Sequence, residues 1–148
     1  RVVKSSKALD ALARSRRYVE PVRQAAEYYG LPEALIWAVM RVESFFKPHV
    51  VSNKGAQGLM QLMPGTGKDM GVEDAFDPVQ NIFGGTRYLR VLANRFNGDL
   101  VLTLSGYHAG GGAVSRLGGI PYTKTAGYVR AVLNAYYEYQ RKSPADQP

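Results

Sequence analysis

The sequence has no cysteine and only two histidines, and these absences exclude several kinds of site. Without cysteine there are no disulfides, and nothing indicates whether the surrounding compartment is oxidising. His49 and His108 do not have the paired spacing of a zinc site. The glycines at 110–112 lack the Lys-Ser/Thr pair of a phosphate-binding loop. We therefore expect neither a metal nor a cofactor.

Long apolar runs are also missing, since none approaches the ~18–20 residues that a membrane-spanning helix needs. The sequence thus predicts no transmembrane segment. It begins at Arg1, without Met and without the apolar centre of a signal peptide. We expect a processed or excised chain from which any export signal has been removed.

Acidic residues are few: 12 Asp and Glu stand against 19 Lys and Arg, for a net charge of +7. The first 17 residues hold six of the basic residues and one acid, which gives +5, and the other 131 residues carry only +2. A nucleic-acid-binding domain should carry its basic stripe on the fold itself, so no nucleic-acid partner is predicted. The favoured interpretation of residues 1–17 is a solvated leader or linker, with a short basic helix as the alternative.

The 148 residues, 45% of them hydrophobic, suffice for one domain with a sizeable core. We expect a globular domain over residues 18–142 and a linker-like tail over residues 143–148. Apolar residues recur at helical spacing, and no strand pattern is longer than a few residues, so the predicted fold is all-α. Capping residues, prolines and glycines place helices near 18–29, 32–45, 57–63, 78–97, 99–107, 113–117 and 124–141.

The most unusual residue is Glu43, because it occupies a position where a core residue is expected. Ile36, Val39 and Met40 form an apolar stripe, and Glu43 follows on the same face, seven residues after Ile36. Burial makes a carboxylate costly to ionise, so its pKa should rise, as a general acid at neutral pH requires. The alternative from spacing alone is a glutamate near a helix end, paired with a nearby basic residue.

A glycine- and amide-rich segment, GAQGLMQLMP over residues 55–64, follows Glu43. Its glycines permit close approach of the backbone, and Gln61 offers both a donor and an acceptor. Met60 and Met63 provide soft apolar walls, although methionines on a short helix are more often core residues.

Five motifs in order resemble the soluble lytic transglycosylase domain family. They are Glu43-Ser44, GAQGLMQLMP, Asn81-Ile82 with Gly85, Tyr88 and Leu89, Gly106-Tyr107-His108-Ala109-Gly110, and Tyr128-Val129. Each motif alone is weak, but the series covers roughly Tyr18 to Gln140. The resemblance implies a lysozyme-like helical fold and cleavage of the glycan strands of bacterial peptidoglycan.

The resemblance also implies roles for individual residues. Gln61 and Met63 match positions that line the cleft beside the acid, and Ser52 matches a loop serine near the substrate's N-acetyl group. Tyr107 matches a tyrosine that faces the catalytic carboxylate. Further candidates for the substrate site, on the same motifs, are Ser44, Met60, His108 and Tyr128. For Ser44, however, stabilising the helix end is the preferred interpretation.

The reaction that the resemblance implies uses one glutamate twice. Glu43 would protonate the glycosidic oxygen of the MurNAc-β-1,4-GlcNAc bond and then take the proton of the sugar's 6-hydroxyl, giving a 1,6-anhydroMurNAc end. No second acid lies near Glu43 in the sequence, although most glycosidases use two carboxylates. Two rivals remain: a hydrolase similar to goose-type lysozymes, and a wall-binding module without turnover.

Three positions depart from the pattern that the family commonly has. His108 stands in place of an asparagine, Gly111 in place of a proline, and Lys124 in place of a glutamate before the last helix. The first two changes leave the geometry of the loop after Tyr107 open. The carboxylate lost at Lys124 concerns how peptide stems or flanking sugars are held. Since the substrate is a wall polymer, we expect a periplasmic or extracellular location in the cell envelope, and a monomer.

Overall fold

The computed structural model describes residues 5–146, and within that range the chain is helical, as predicted. There are eight α-helices and two single turns of 3₁₀-helix, at Arg16–Tyr18 and Pro144–Asp146. The helices are α1 (Ser6–Ser15), α2 (Val19–Tyr29), α3 (Glu33–Ser44), α4 (Pro64–Asp69), α5 (Pro78–Arg95), α6 (Leu100–Ala109), α7 (Gly111–Leu117) and α8 (Thr123–Arg141).

The helix boundaries follow the predicted signals closely. The side chain of Asp77 accepts a hydrogen bond from the backbone N–H of Gln80 and caps α5, while Asp99 caps α6 in the same way through Leu102. Gly30 ends α2 with a left-handed conformation at φ 65°. These local signals hold because each satisfies a backbone group that the helix itself leaves unpaired.

The core lies around α3, which packs along α8. All apolar residues of α3 from Leu35 to Met40 are buried, and Trp37 is fully enclosed against Phe46 and Tyr139. A helix buried on nearly all sides is held rigidly by its neighbours. The end of α3, where Glu43 lies, is therefore held rigidly in place.

The predicted helix over residues 57–63 is wrong, because this segment is an irregular loop. Gly55 and Gly58 have φ of 94° and 79°, and Gln61 also has a positive φ of 53°. Isolated antiparallel bridges pair Gln57 with both Val51 and Leu62. Backbone at positive φ cannot continue a right-handed helix. Pro64 begins α4 and does not end a helix, since proline suits the first helical turn.

The basic leader is not a solvated tether over its described part. Residues 6–15 form α1, which places Ala11 in the core. Arg14 donates two hydrogen bonds, from Nε and Nη2, to the backbone carbonyl of Phe45 at 3.1 and 3.0 Å. Residues 1–4 of the leader lie outside the described residues. Across 5–146 none of the helices has the length and apolarity needed to cross a membrane.

Candidate active site

Glu43 is placed by an abrupt end of α3. Phe45 and Phe46 adopt left-handed conformations with φ of 55° and 63°, which turns the chain away directly after Ser44. Two bulky residues in this conformation store strain, which the buried Phe46 ring compensates by packing on Trp37. Glu43 thereby sits on the last helical turn, at the edge of the core.

The Glu43 carboxyl is partly buried, and its pKa is raised to about 7. Burial is the main cause, because it disfavours the charged form. A hydrogen bond of 2.9 Å from the hydroxyl of Tyr128 to Oε2 acts in the opposite direction and lowers the pKa. The expected rise of the pKa is thus confirmed, and near pH 7 the carboxyl can both give and take a proton.

Tyr128 contacts Glu43 from the first half of α8. Tyr128 as a whole is partly buried, but its hydroxyl is enclosed beside the carboxyl. Desolvation and the charge of Glu43 raise the pKa of Tyr128 well above 10, so the hydroxyl remains a donor. On its other side the ring stacks on His108, with centroids 4.7 Å apart and planes at 28°. The imidazole Nδ1 of His108 lies 3.0 Å from Oγ1 of the buried Thr125.

Tyr107 lies near enough to Glu43 to be affected by its charge, but its hydroxyl does not donate to the carboxylate. The hydroxyl donates a 2.6 Å hydrogen bond to the backbone carbonyl of Met60, and the ring packs on Tyr88 with centroids 5.3 Å apart. Burial and the nearby charge of Glu43 raise the pKa of Tyr107. Tyr107 thus anchors the loop below the carboxyl, and Tyr128 is the tyrosine that bonds to it.

Ser44 and Met60 lie in the interior. The buried hydroxyl of Ser44 donates to the carbonyl of Met40 at 3.1 Å, as the helix-end interpretation predicts. Met60 is fully buried and packs directly against Gly85. Neither side chain is placed to touch a ligand, so their inclusion among substrate-site candidates is corrected.

The loop over residues 50–63 is held by its own amides. Nε2 of Gln61 donates to the carbonyls of Val50 and Gly58, both at 2.9 Å, and Oγ of Ser52 accepts from the N–H of Ala56 at 3.0 Å. Both side chains are partly exposed. The structure therefore gives Gln61 and Ser52 a scaffolding role in addition to any contact with a ligand.

Asn81 ties this loop to α5, although the sequence motif that contains it had suggested no role. Its Oδ1 accepts from the N–H of Met60 at 2.7 Å, and its Nδ2 donates to the carbonyls of Gln57 and Ala75 at 3.0 and 2.8 Å. The side chain is fully buried. Asparagine at the start of an otherwise apolar helix face was the available signal, because a buried amide must find partners.

A cavity of about 260 Å³ opens beside Tyr107 and His108, and Glu43 is not among its lining residues. Gln61 and Met63 line it from the loop, and Tyr88, Tyr107 and His108 line it from α5 and α6. The side chain of Met63 is 44% exposed, so it forms a wall of the cavity and is not a core residue. Four sequence candidates therefore meet around one opening: Gln61, Met63, Tyr107 and His108.

A larger groove of about 600 Å³ lies elsewhere, between α1 and the end of α8. Lys7, Arg41 and Lys142 are among its lining residues, and Glu43 is not. Its size alone gives it no chemistry, since no pair of groups suited to acid–base catalysis lines it. Within residues 5–146, no cluster of three or more His, Asp and Glu side chains could hold a metal ion.

Comparison with known proteins places these features in a family. A family model described as the transglycosylase SLT domain matches residues 20–129. The chain is 40% identical over 122 residues to the membrane-bound lytic murein transglycosylase C of Edwardsiella ictaluri, covering 70% of this chain and 34% of that protein. It is 44% identical over 91 residues to the transglycosylase of Enterobacteria phage PRD1, covering 62% of this chain and 34% of that protein.

Solved structures give the same result for the fold. An inactive mutant of the lytic transglycosylase Slt from Pseudomonas aeruginosa superposes with a TM-score of 0.76 at 34% identity, covering 87% of this chain and 25% of that one. The 70 kDa soluble lytic transglycosylase of Escherichia coli has a TM-score of 0.76 at 30% identity, with coverage of 88% and 26%. The predicted lysozyme-like helical fold is confirmed. The chain spans about a third of the length of the curated relatives it matches.

Proposed function

The chain belongs to the transglycosylase SLT domain family, and from this premise we propose that it cleaves the glycan strands of peptidoglycan as a lytic transglycosylase. The observation that carries the proposal is the Glu43 carboxyl, whose pKa of about 7 and hydrogen bond from Tyr128 suit a group that exchanges a proton at neutral pH. The relatives' names supply the substrate, murein, which is peptidoglycan.

The first step of the proposed reaction is protonation of the leaving group. Glu43, in its protonated form, donates to the glycosidic oxygen of the MurNAc-β-1,4-GlcNAc bond while the bond from C1 to that oxygen breaks. The carbonyl oxygen of the substrate's own N-acetyl group stabilises the positive charge that develops at C1. Substrate-assisted schemes of this kind dispense with a second enzyme carboxylate.

In the second step the carboxylate of Glu43 acts as a base. It takes the proton of the 6-hydroxyl of the same sugar, whose oxygen forms a bond to C1, and a 1,6-anhydroMurNAc end results. Glu43 returns to its protonated form, and no water is consumed. During the ionised interval Tyr128 stabilises the carboxylate through its hydrogen bond, since the phenol remains a donor.

The single-glutamate scheme is favoured over a hydrolase similar to goose-type lysozymes. Only burial and Tyr128 contribute to the pKa shift of Glu43, and no Asp or Glu among the described residues does. The carboxylates of Asp77 and Asp99 are occupied as caps of α5 and α6. No second carboxylate in the described part of the chain therefore acts on Glu43 at close range, which agrees with the single-glutamate scheme.

Gln61, Met63 and His108, which line the cavity, are proposed to line the substrate cleft, together with Ser52 from the same loop as Gln61 and Met63. We further propose that the chain acts as a monomer without a cofactor, in the cell envelope where peptidoglycan lies. The proposed catalytic unit is residues 18–142.

Mass spectrometry of the soluble products from purified peptidoglycan tests the proposal. Wild type should release 1,6-anhydromuramyl products, Glu43→Gln should release none, and Glu27→Gln, a change of an exposed glutamate on α2, should behave as wild type. Reducing-end products, heavier by one water, would indicate a hydrolase. Wall binding without any products would leave a binding module. The departures at His108, Gly111 and Lys124 leave that alternative open, whereas the intact Glu43, Gln61 and Tyr107 argue against it.

A further inference from the structure

His108 packs against the face of α8 that carries Thr125 and Tyr128. Thr125 and Tyr128 lie three residues apart in α8 and so project from the same face. His108, at the end of α6, contacts both: Nδ1 lies 3.0 Å from Oγ1 of Thr125, and the imidazole stacks on the phenol ring of Tyr128 at 4.7 Å. The imidazole is therefore fixed at one edge by a hydrogen bond and along one face by an aromatic ring.

The surroundings of His108 favour its neutral form. Burial and the positive charges of Lys54 and Lys124 lower its pKa. Lys54 comes from the loop after α3, and Lys124 precedes Thr125 on α8, so cations approach from two elements. A neutral imidazole stacks on a phenol as an ordinary aromatic pair, with centroids in the usual range.

The contact with Tyr128 has a consequence for the carboxyl. A phenol hydroxyl swings through a wide arc when its ring turns about the side-chain torsions, and Tyr128 must hold its hydroxyl 2.9 Å from Oε2 of Glu43. The ring of Tyr128 is only partly buried, so core packing does not enclose it on every side. His108 covers one of its faces.

We propose that His108 is a positioning residue, which clamps Tyr128 so that the phenol hydroxyl stays on the Glu43 carboxyl. The inference rests on the proposed function for its catalytic meaning, but its structural content concerns only Thr125, His108, Tyr128 and Glu43. It assigns His108 a role beyond lining the substrate cleft. The asparagine that the family commonly has at this position has no aromatic ring and could not stack on Tyr128 in the same way.

The primary test is the pKa of Glu43, measured without substrate by NMR of carboxyl-labelled glutamate. Tyr128→Phe is the reference, since it removes the hydrogen bond and should raise this pKa. His108→Ala should raise it in the same direction by a smaller amount. The double variant should match Tyr128→Phe alone, because the clamp has nothing left to position. His108→Phe keeps a stacking ring but loses the bond to Thr125, so its shift should be smaller than that of His108→Ala.

The kinetic test uses kcat/KM on peptidoglycan as a function of pH. His108→Ala should lower kcat by roughly tenfold, less than the ~100-fold that misplacing a reacting group by 1 Å can cost. The decline of kcat/KM at high pH should occur at a higher pH in His108→Ala than in wild type, as in Tyr128→Phe. Thr125→Val, which keeps the imidazole but removes its hydroxyl partner, should show part of the same shift. His49→Ala removes the other histidine and serves as the control.

An unchanged pKa of Glu43 in His108→Ala would overturn the inference, and a raised KM beside it would identify His108 as a substrate contact only. Additive pKa shifts in the double variant would also overturn it, since the two residues would then act separately. If the NMR shift appears while wild type releases no products from peptidoglycan, the positioning role stands and the proposed function fails. The two failures are therefore distinguishable.

Discussion

The hydroxyl of Tyr128 donates to Oε2 of Glu43 at 2.9 Å and joins α8 to the last turn of α3. Burial raises the pKa of Glu43 to about 7, and this bond opposes the rise. The two effects together keep the pKa of the carboxyl close to neutral pH, so that both its protonated and its ionised form are accessible. The residue that tunes the acid therefore comes from a helix 85 positions further along the chain.

Replacing Tyr128 by Phe should raise the pKa of Glu43 above about 7, because only the bond that favours the carboxylate is removed. A general acid is active while protonated, so kcat/KM should fall at a higher pH than in wild type. The measurement is the pH profile of kcat/KM. Its maximum should also drop, since the carboxylate formed after the first step loses a donor.

Tyr136→Phe provides the matched control, since it removes a phenol hydroxyl from the same helix away from Glu43. It should leave the profile unmoved. If the decline of kcat/KM at high pH occurred at the same pH in Tyr128→Phe as in wild type, another group would control that decline and Glu43 would not be the acid.

Glu43 should also make stability depend on pH. Its pKa is about 7 in the folded chain against 4.5 in the unfolded one, so the folded state binds the proton more tightly. The stabilisation is fully present below pH 4.5 and is lost as the pH rises through 7. Because Glu43→Gln cannot ionise, its free energy of unfolding should rise relative to that of wild type over this pH window, by on the order of 2 to 3 kcal/mol.

Chemical denaturation of both proteins at several pH values between 4 and 8 checks this prediction. The difference in free energy of unfolding should grow with pH and level off above 8, and Glu27→Gln on the surface should show no such growth. A constant difference across the range would mean that the carboxyl is as well solvated when folded as when unfolded.

The helices could be predicted because their signals are local. Asp77, Asp99 and Gly30 satisfy backbone groups within one turn, so neighbouring residues alone determine where α5, α6 and α2 begin or end. Glu43 was found for a similar reason, since its place on an apolar stripe is visible from spacing. The family resemblance then added the cleft residues Gln61 and Met63.

The loop could not be predicted, because its conformation depends on distant partners. Gln61 adopts a positive φ while its side-chain amide bonds to Val50, and Asn81 holds the backbone of Met60 from 21 positions away. Pro64 and Gly65 suggested that a short helix ends at Met63, but bonds to distant residues determine the conformation of this segment. Likewise, the choice between Tyr107 and Tyr128 as partner of the acid depends on how α6 and α8 cross.

Asn81→Ala should destabilise the fold by roughly 2 to 5 kcal/mol, because it leaves the N–H of Met60 and the carbonyl of Ala75 without partners. The carbonyl of Gln57 loses one bond but keeps the one from the N–H of Leu62. Thermal and denaturant unfolding measure the loss. Asn94→Ala, an exposed asparagine on the same helix, is the control and should change stability by less than about 0.5 kcal/mol. Equal losses in the two variants would contradict the role of Asn81 as the tie between loop and helix.

Gly58 and Gly55 form a second matched pair in the same loop, since both have positive φ. A Cβ at position 58 would collide with the carbonyl of Ala75 and the amide of Asn81, whereas nothing lies within 4 Å of a Cβ at position 55. Gly55→Ala should therefore cost only backbone strain, about 1 to 2 kcal/mol.

Gly58→Ala should cost clearly more than Gly55→Ala and should reduce activity as well, because Asn81 would have to shift and release Met60. Unfolding midpoints and product release from peptidoglycan, measured on both variants, check the contrast. If Gly58→Ala proved no worse than Gly55→Ala, the close packing of the loop on α5 would be disproved.

Arg14 links the basic leader to the active-site turn. Its guanidinium donates twice to the carbonyl of Phe45, which lies two residues after Glu43 and has a positive φ of 55°. Arg14→Leu keeps an aliphatic stem but removes both bonds, so it should destabilise the fold by about 1.5 to 3 kcal/mol, the usual range for hydrogen bonds to a charged group.

Arg16→Leu removes an exposed charge two residues away and should hardly change stability. Comparing the two variants therefore distinguishes the effect of the Arg14 hydrogen bonds from that of the leader's positive charge. Both variants should be compared by denaturant unfolding and by the rate of product release well below the midpoint. A loss of activity in Arg14→Leu alone would mean that α1 supports the turn that aims Glu43. Matching behaviour of the two variants would mean that the bonds of Arg14 to Phe45 contribute nothing beyond the leader's general charge.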